Sequence, residues 1–221
     1  MKTLSILTIL LITAINVNAQ GIGEIAPDKP HIKFPPNSLG VDLVFTEGGV
    51  GFGSFYRRAI VDDITFVTTF SISEAKEQNE FTRIDPYTLQ SYTIGKKNRV
   101  FLIPLTFGLQ HRLFKNSLYE TLRPFIEAGI GPSIVLTSPY IDDQGNQVEF
   151  FKSFGRAHSN YALGGYIGLG ANFGIDTSSL IGLNIRYYYI QLFNDGVESL
   201  FGTKTKNFGG IYITLSIGKM Y

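Results

Sequence analysis

The chain has 221 residues, of which 44% are hydrophobic, 14% aromatic and 17% charged, with 24 Gly and no Cys or Trp. This apolar content excludes a disordered chain, and the lack of Cys excludes disulfides, thiolate metal sites and lipid attachment to a cysteine. The formal net charge of +1 leaves no basic footprint, so no nucleic-acid partner is expected.

Residues 1–19 have the pattern of a secretory signal peptide. The positive charge of Lys2 precedes an apolar run from Leu4 to Ile15, and the small residue Ala19 ends the segment. An uncleaved membrane anchor is the alternative, but the run is shorter than the ~20 residues of a spanning helix. We therefore expect export across the inner membrane and cleavage after Ala19.

Residues 20–37 carry four of the nine prolines. Proline removes backbone donors and holds the chain extended without a partner strand. We expect an irregular N-terminal segment here, followed by a single barrel domain over residues 38–221.

From Leu39 onward, apolar and polar residues alternate with the two-residue period of β-strands. Residues 211–217, for example, place four aliphatic side chains on one face and tyrosine or hydroxyl side chains on the other. The alternation predicts eight strands, at about 39–46, 49–58, 62–76, 98–114, 122–137, 159–175, 180–193 and 207–220.

The predicted connections alternate between short and long. Thr46–Gly49 is interpreted as a hairpin turn because Gly-Gly favours tight hairpins, although a bulge within one long strand fits the same residues. The later connections are short near 59–61, 115–121 and 176–179, and long at 77–97, 138–158 and 194–206. This alternation is typical of an up-and-down barrel with short turns on one rim and long loops on the other. It predicts that strand 39–46 closes the barrel by pairing antiparallel with strand 207–220.

The sixth predicted strand indicates which face of the wall points outward. One face carries mostly small residues and no Lys or Glu, namely Ala162, Gly164, Tyr166, Gly168, Gly170, Asn172 and Gly174. The opposite face is apolar, with aromatic residues near both ends. A water-facing exterior would carry charges, whereas small residues suit the crowded inside of a narrow barrel. We therefore expect an all-β, eight-stranded antiparallel transmembrane β-barrel, with a soluble periplasmic barrel around an apolar ligand as the alternative.

The C-terminal strand ends in a recognisable pattern. Tyr221 is the last residue, and Ile213, Leu215 and Ile217 lie at alternate positions before it. In this the chain resembles the OmpA-type eight-stranded outer-membrane β-barrels of Gram-negative bacteria, over residues 38–221. The resemblance implies residence among outer-membrane lipids and recognition of these four residues by the barrel assembly machinery. Lys219 departs from the aromatic residue that is often found third from the end in the family.

Residue parity also places polar side chains inside the barrel. The predicted lumen network is Asp42, Arg57, Gln110, Arg112, Glu127, Asn172 and Arg186. Charges inside a narrow barrel are costly unless they are paired, so we expect an interlocked network that leaves no wide channel. Glu127 and Arg186 are expected to pair across the sixth strand, where two glycines leave room. The alternative is that some of these side chains lie near the rims in water, and Arg57 and Arg112, close to predicted short turns, are the strongest candidates for it.

The motifs in the chain do not favour catalysis or a cofactor. The Gly-rich run 164–170 lacks the helix and Lys-Ser/Thr of a phosphate loop, and 142–146 lacks the ligand spacing of a calcium loop. His158 and Ser159, as strand neighbours, point to opposite faces and form no dyad. We expect a non-enzymatic barrel without metal or cofactor, with a structural or surface-interaction role. Its long loops would meet an extracellular partner that the sequence does not identify. A narrow channel for small solutes is the alternative.

Overall fold

The computed structural model describes residues 32–221, except 77–79, 88, 90, 116, 143, 145, 175, 199–201 and 203. The predicted signal peptide and residues 20–31 therefore lie outside the described residues. The strands are β1 (Asn37–Thr46), β2 (Gly49–Val61), β3 (Ile64–Ala75), β4 (Phe81–Ile84), β5 (Ser91–Ile94), β6 (Asn98–Arg112), β7 (Leu122–Pro139), β8 (His158–Phe173), β9 (Ser179–Leu192), β10 (Val197–Glu198), β11 (Lys204–Thr205) and β12 (Asn207–Met220). A short helix, α1 (Phe150–Phe154), precedes β8. In this part of the chain no helix is long and apolar enough to cross a membrane.

Eight of the strands form a closed antiparallel barrel in the order β1-β12-β9-β8-β7-β6-β3-β2. β1 pairs with β12 from Ser38 to Phe45, which confirms the predicted closure between the first and last strands. Closure gives every wall strand a partner on both edges, as lipid requires, because lipid offers no water to backbone N–H and C=O groups. The two other strand pairs, β4 with β5 and β10 with β11, form small hairpins within long loops.

The turn between β1 and β2 is a tight hairpin and not a bulge. Thr46 pairs with Gly49, so that Glu47 and Gly48 alone connect the strands. The Gly48 N–H donates to Thr46 Oγ1 at 3.2 Å, and Gly49 has a φ of 143°, a value that favours glycine. This turn shares a rim with the three long loops, here called the loop rim. Both strand ends nearest the chain termini lie on the opposite rim, here called the turn rim.

The predicted strands match the wall strands to within about three residues at each end, with two corrections. Residues 59–61, predicted as a link, continue β2, and Asp62 and Asp63 form the turn. Ile60 and Val61 favour a strand, whereas aspartates favour turns. Asn37, predicted to precede the barrel, begins β1, and its N–H donates to the Tyr221 carbonyl at 3.1 Å. Residues 32–36 lie outside the strands.

The two faces of the wall differ in the way that the alternation predicts. On β8, Ala162 and Tyr166 point into the barrel and are 2% and 4% exposed, whereas Tyr161 and Ile167 point outward and are 70% and 67% exposed. The same alternation of buried and exposed positions runs along β9 and β12. An outward apolar belt of this extent is stable in lipid and not in water. The fold is therefore a transmembrane β-barrel.

Candidate functional site in the filled lumen

Four charged side chains meet in the middle of the lumen. Asp42 and Glu127 supply two negative charges, and Arg57 and Arg186 supply two positive charges; each residue is at most 4% exposed. A buried charge without a partner costs several kcal/mol, so this arrangement is stable only as a set. The set is formally neutral.

The ion pair between Arg186 and Glu127 forms the centre of this network. Arg186 Nε lies 2.6 Å from Glu127 Oε1, and Nη2 lies 3.4 Å from Oε2. Gly168 on the intervening strand β8 is in register with both residues. Two strand spacings amount to roughly 9.5 Å, which an arginine side chain spans. A Cβ atom at Gly168 would lie 2.9 Å from Arg186 Cγ, so the glycine gives Arg186 its path to the carboxylate.

Asp42 extends the network across the seam where the barrel closes. Its Oδ2 lies 3.8 Å from Arg186 Nη1, and its Oδ1 accepts a hydrogen bond from Ser216 Oγ at 2.5 Å. Asn184 Nδ2 donates to the same Ser216 Oγ at 3.0 Å. Sequence reasoning did not include Ser216 and Asn184 in the network. The sequence signal for them is residue parity, because Asn184 lies on the same face of β9 as Arg186, and Ser216 on the same face of β12 as the inward-facing Tyr212.

Arg57 lies deep in the lumen and is 2% exposed, so the alternative position in water at the rim does not apply to it. Its Nη1 donates to Asn172 Oδ1 at 3.0 Å, and its Nη2 donates to Ser216 Oγ at 3.4 Å. The guanidinium also lies over the Phe55 ring, 4.4 Å from the centroid. Because β2 continues to Val61, Arg57 is well above the end of its strand and points across the barrel.

Gln110 and Arg112 occupy the part of the lumen next to the turn rim. Gln110 is opposite Glu127 in the ladder between β6 and β7 and is 7% exposed. Arg112 Nη2 lies 2.7 Å from Glu120 Oε2, in the turn that precedes β7, and both side chains are partly exposed. Arg112 is therefore near the rim, as its position in the sequence suggests. Glu120 is a partner that sequence reasoning did not name.

An apolar layer fills the lumen between the charged network and the loop rim. Three tyrosine rings pack against one another in tilted pairs across β8, β9 and β12, with centroid distances of 5.1 Å between Tyr166 and Tyr188 and 4.5 Å between Tyr188 and Tyr212. Aliphatic side chains that are at most 1% exposed continue this layer: Val100, Leu102, Val135 and Ile190. This layer separates the charges from water on the loop side.

An apolar cluster lies at the turn rim of the lumen, together with Arg112 and Arg123. Phe55, Leu180 and Met220 form a buried cluster, and Phe34, which precedes β1, packs against it. The Arg123 guanidinium lies over the Phe34 ring, 3.7 Å from the centroid. The short segment before β1 therefore helps to fill this end of the barrel, although it is not part of the wall.

Ion pairs connect the loops at the loop rim. Lys96 Nζ lies 2.8 Å from Glu74 Oε1 and 3.2 Å from Glu80 Oε1. Burial lowers the pKa of Lys96, but the hydrogen bonds and charges of the two glutamates outweigh it and raise the pKa above 10.5. Lys97 Nζ lies 3.2 Å from Glu198 Oε1, which joins the first long loop to the third.

The predicted assembly residues lie on the outer surface of the last strand. Ile213 and Ile217 are 44% and 54% exposed, Leu215 between them is partly exposed, and Tyr221 is 58% exposed. They form one outward ridge beside the seam with β1. Their role in assembly stays a prediction. In the described residues, no three His, Asp or Glu side chains come close enough to hold a metal ion.

Comparison with known proteins gives similarity in fold only. No protein-family model matches the chain, and no curated protein matches it either. Among solved structures, the N-terminal β-barrel domain of Pseudomonas aeruginosa OprF is 10% identical, with 85% of this chain and 98% of that chain covered and a TM-score of 0.44. Ail, the attachment invasion locus protein of Yersinia pestis, is 16% identical, with 83% and 95% covered and a TM-score of 0.41. The outer membrane protein OprG of Pseudomonas aeruginosa is 13% identical, with 87% and 98% covered and a TM-score of 0.41. The strand pairing of this chain itself establishes the shared architecture, which is that of the eight-stranded outer-membrane β-barrels.

Proposed function

We propose that this protein is a non-enzymatic outer-membrane barrel with an occluded lumen, and that it acts through the loops at its outer rim. One observation carries the proposal: the neutral set of Asp42, Arg57, Glu127 and Arg186 is buried between the tyrosine-containing layer and the Phe55 cluster. Ions and small solutes need a continuous wet path, and eight strands leave only enough space for side chains to fill. Side chains that fill the lumen at these three levels support an occluded barrel rather than a porin.

The route to the outer membrane is part of the same proposal. Residues 1–19 direct export and are removed, and the ridge formed by Ile213, Leu215, Ile217 and Tyr221 is recognised by the barrel assembly machinery. The exposed aromatic end of this ridge and its place at the seam support that role. The mass of the mature chain tests cleavage after Ala19. Deletion of Tyr221 is expected to lower the yield of inserted barrel without changing export.

The hairpin of β4 and β5 supports a surface-interaction role. Its connecting segment presents Tyr87 and Leu89, which are 95% and 79% exposed, beside Ile84, which is 62% exposed. These side chains lie in the first long loop, beyond the loop-rim end of β3 and β6. Exposed apolar groups on a loop away from the lipid belt are characteristic of protein contact sites. The proposed partner is an extracellular protein surface.

Single-channel recording in planar bilayers separates the occluded barrel from a small-solute channel. The folded protein, identified by its heat-modifiable mobility on gels, is inserted into the bilayer beside a general porin as the positive control. We expect the porin to produce current steps and this protein to produce none. Steady steps of uniform size from the folded protein would replace the proposal with a channel.

A further inference from the structure

The second long loop folds back over the outside of the barrel wall. Arg99 and Ser138 are paired across β6 and β7, and both alternate with the inward-facing Val100 and Thr137. Parity therefore directs both side chains outward, where the neighbouring outward residues Phe101 and Leu136 are partly exposed. Arg99 is nevertheless 7% exposed and Ser138 1% exposed. The loop that contains α1 covers them.

Polar contacts fix the orientation of α1 on the wall. Arg99 Nη1 donates to Ser153 Oγ at 3.1 Å, and Arg99 Nη2 donates to the Val148 carbonyl at 3.0 Å. Ser153, the buried residue of the helix, also lies 3.3 Å from Ser138 through its Oγ. With its serine held against the wall, the helix leaves Phe150, Phe151 and Phe154 43%, 81% and 39% exposed. The Arg99 guanidinium also lies over the Phe150 ring, 5.4 Å from its centroid.

The phenylalanines of α1 extend the aromatic surface of the wall. The ring of the outward-facing Phe101 lies 5.4 Å from Phe154 and 6.3 Å from Phe150, centroid to centroid. Phe150 in turn contacts Phe151 at 5.5 Å, and Phe151 is 81% exposed. These four residues, here called the aromatic patch, are continuous with the lipid-facing belt through Phe101.

The height of the patch matches the boundary of the membrane. From Phe101 to Leu109, the outward positions of β6 span roughly 27 Å along the strand, or about 20 Å along the barrel axis at the usual tilt. The apolar belt of such barrels is about 25 Å tall, with aromatic side chains at its two edges. Phe101 is at the loop-rim edge of this belt, and α1 lies beside it.

We propose that α1 is an interfacial anchor that inserts Phe150, Phe151 and Phe154 into the outer leaflet at the boundary between headgroups and acyl chains. The occupant of the patch is lipid, because the patch continues a surface that already faces lipid. Aromatic rings are favoured at this depth, and the exposed Lys152 reaches the headgroups from the same helix. The anchor rests on the outer-membrane location of the barrel. It assigns to the second loop a position on the membrane, whereas the hairpin of the first loop extends into water.

The absence of Trp from the chain allows a direct test by fluorescence in lipid vesicles. Three variants each carry one tryptophan: Phe151→Trp in the patch, Tyr87→Trp in the first loop, and Ile130→Trp in the middle of the belt. Each is measured with lipids that are brominated either near the headgroup or deep in the acyl chain, and with iodide in the water. Tyr87 and Ile130 serve as the controls for water and for lipid.

We expect Phe151→Trp to emit at shorter wavelength than Tyr87→Trp, to be quenched most by shallow bromines, and to resist iodide. Ile130→Trp should be quenched most by deep bromines. If Phe151→Trp instead matches Tyr87→Trp in wavelength and in quenching by iodide, the patch faces water or a protein partner, and the anchor is refuted. If Ile130→Trp also escapes bromine, the membrane location itself is wrong and the anchor falls with it.

Discussion

The inner and outer faces of the barrel wall are formed by alternate residues of the same strands, yet they are stabilised in different ways. Inside, the ion pair of Arg186 and Glu127 depends on a specific distance and on the missing side chain at Gly168. Outside, residues such as Ile130 and Ile167 present apolar surface to lipid without a defined protein partner. The stability of the barrel should therefore depend on the identity and position of each side chain on the inner face, but only on the polarity of side chains on the outer face.

The largest effect is expected from breaking the central ion pair. Glu127→Gln alone, or Arg186→Met alone, leaves a buried charge without its main partner and should cost about 3–5 kcal/mol of unfolding free energy. The double variant should cost much less than the sum of the two, because both charges are gone. Urea unfolding in lipid vesicles measures the unfolding free energy of the parent protein, the two single variants and the double variant. Additive costs would show that the pair contributes no specific stability.

A charge on the outer face is expected to have the next largest effect. Ile130 is near the middle of β7 and is 58% exposed toward lipid. Ile130→Arg should cost about 2–4 kcal/mol, because the charge has no partner near the bilayer midplane. Ile130→Leu keeps the polarity and should leave the unfolding free energy close to that of the parent. Equal stability of the two variants would contradict a lipid-facing position.

A single methyl group distinguishes the two faces at adjacent levels of β8. A Cβ atom at Gly168 would lie 2.9 Å from both Arg186 Cγ and the Ile185 carbonyl oxygen, whereas a Cβ at Gly165 would lie 3.4 Å from its nearest neighbour, the Gly129 carbonyl oxygen. Gly168→Ala should therefore cost about 1–3 kcal/mol through overpacking. Gly165→Ala is the matched control and should change stability little. Equal stability of the two variants would show that Arg186 does not need the space left by the missing side chain at Gly168.

Removal of Phe34 tests the closure of the turn rim by residues outside the wall. Phe34→Ala removes the cation–π contact with Arg123 and the packing on the Phe55 cluster, and should cost about 1 kcal/mol. Hydrogen exchange should speed up at the Ala59 amide, which donates to the Pro36 carbonyl at 2.7 Å. The Thr69 and Thr106 region of the wall serves as the internal reference. Unchanged exchange at Ala59 would mean that the segment does not depend on Phe34.

The smallest effect is a response of the loop rim to alkaline pH. The pKa of Lys96 is raised in the folded protein, so its ion pairs contribute fully below the unfolded value near 10.5 and are lost as pH rises through the higher folded value. A nitroxide attached through Leu89→Cys, in a chain with no other Cys, should become more mobile in that range. In a Lys96→Gln background the label should be mobile already at neutral pH. A pH response that persists in this background would assign it to another group.

The sequence predicts the wall well because alternation is a local signal. Period two identifies the strands, and the lack of charge on the inner face of β8 identifies which face meets lipid. The pairing of Glu127 with Arg186 can also be predicted from the sequence, because the two residues are separated by one strand and flank a glycine in register.

Contacts across the barrel cannot be predicted from the sequence in the same way. The bond from Arg57 to Asn172 joins β2 to β8, which are far apart in the order of the wall. The meeting of such positions depends on strand tilt and register shift around the whole barrel, which parity does not encode. A local sequence pattern also does not predict that the second loop folds over Arg99, because this depends on contacts with Ser153 and Val148 from another segment of the chain.

A label scan along β8 in lipid vesicles tests a filled lumen inside a lipid-embedded wall most directly. Nitroxides are placed one at a time at Ala162, Leu163, Tyr166, Ile167 and Leu169, and their collisions with oxygen, which dissolves in lipid, and with a water-soluble nickel complex are compared. A filled lumen predicts oxygen access at Leu163, Ile167 and Leu169, and little access for either reagent at Ala162 and Tyr166. Nickel access at Ala162 and Tyr166 would reveal a wet channel, and nickel access at Leu163, Ile167 and Leu169 would place the outer face in water; either result would contradict the account.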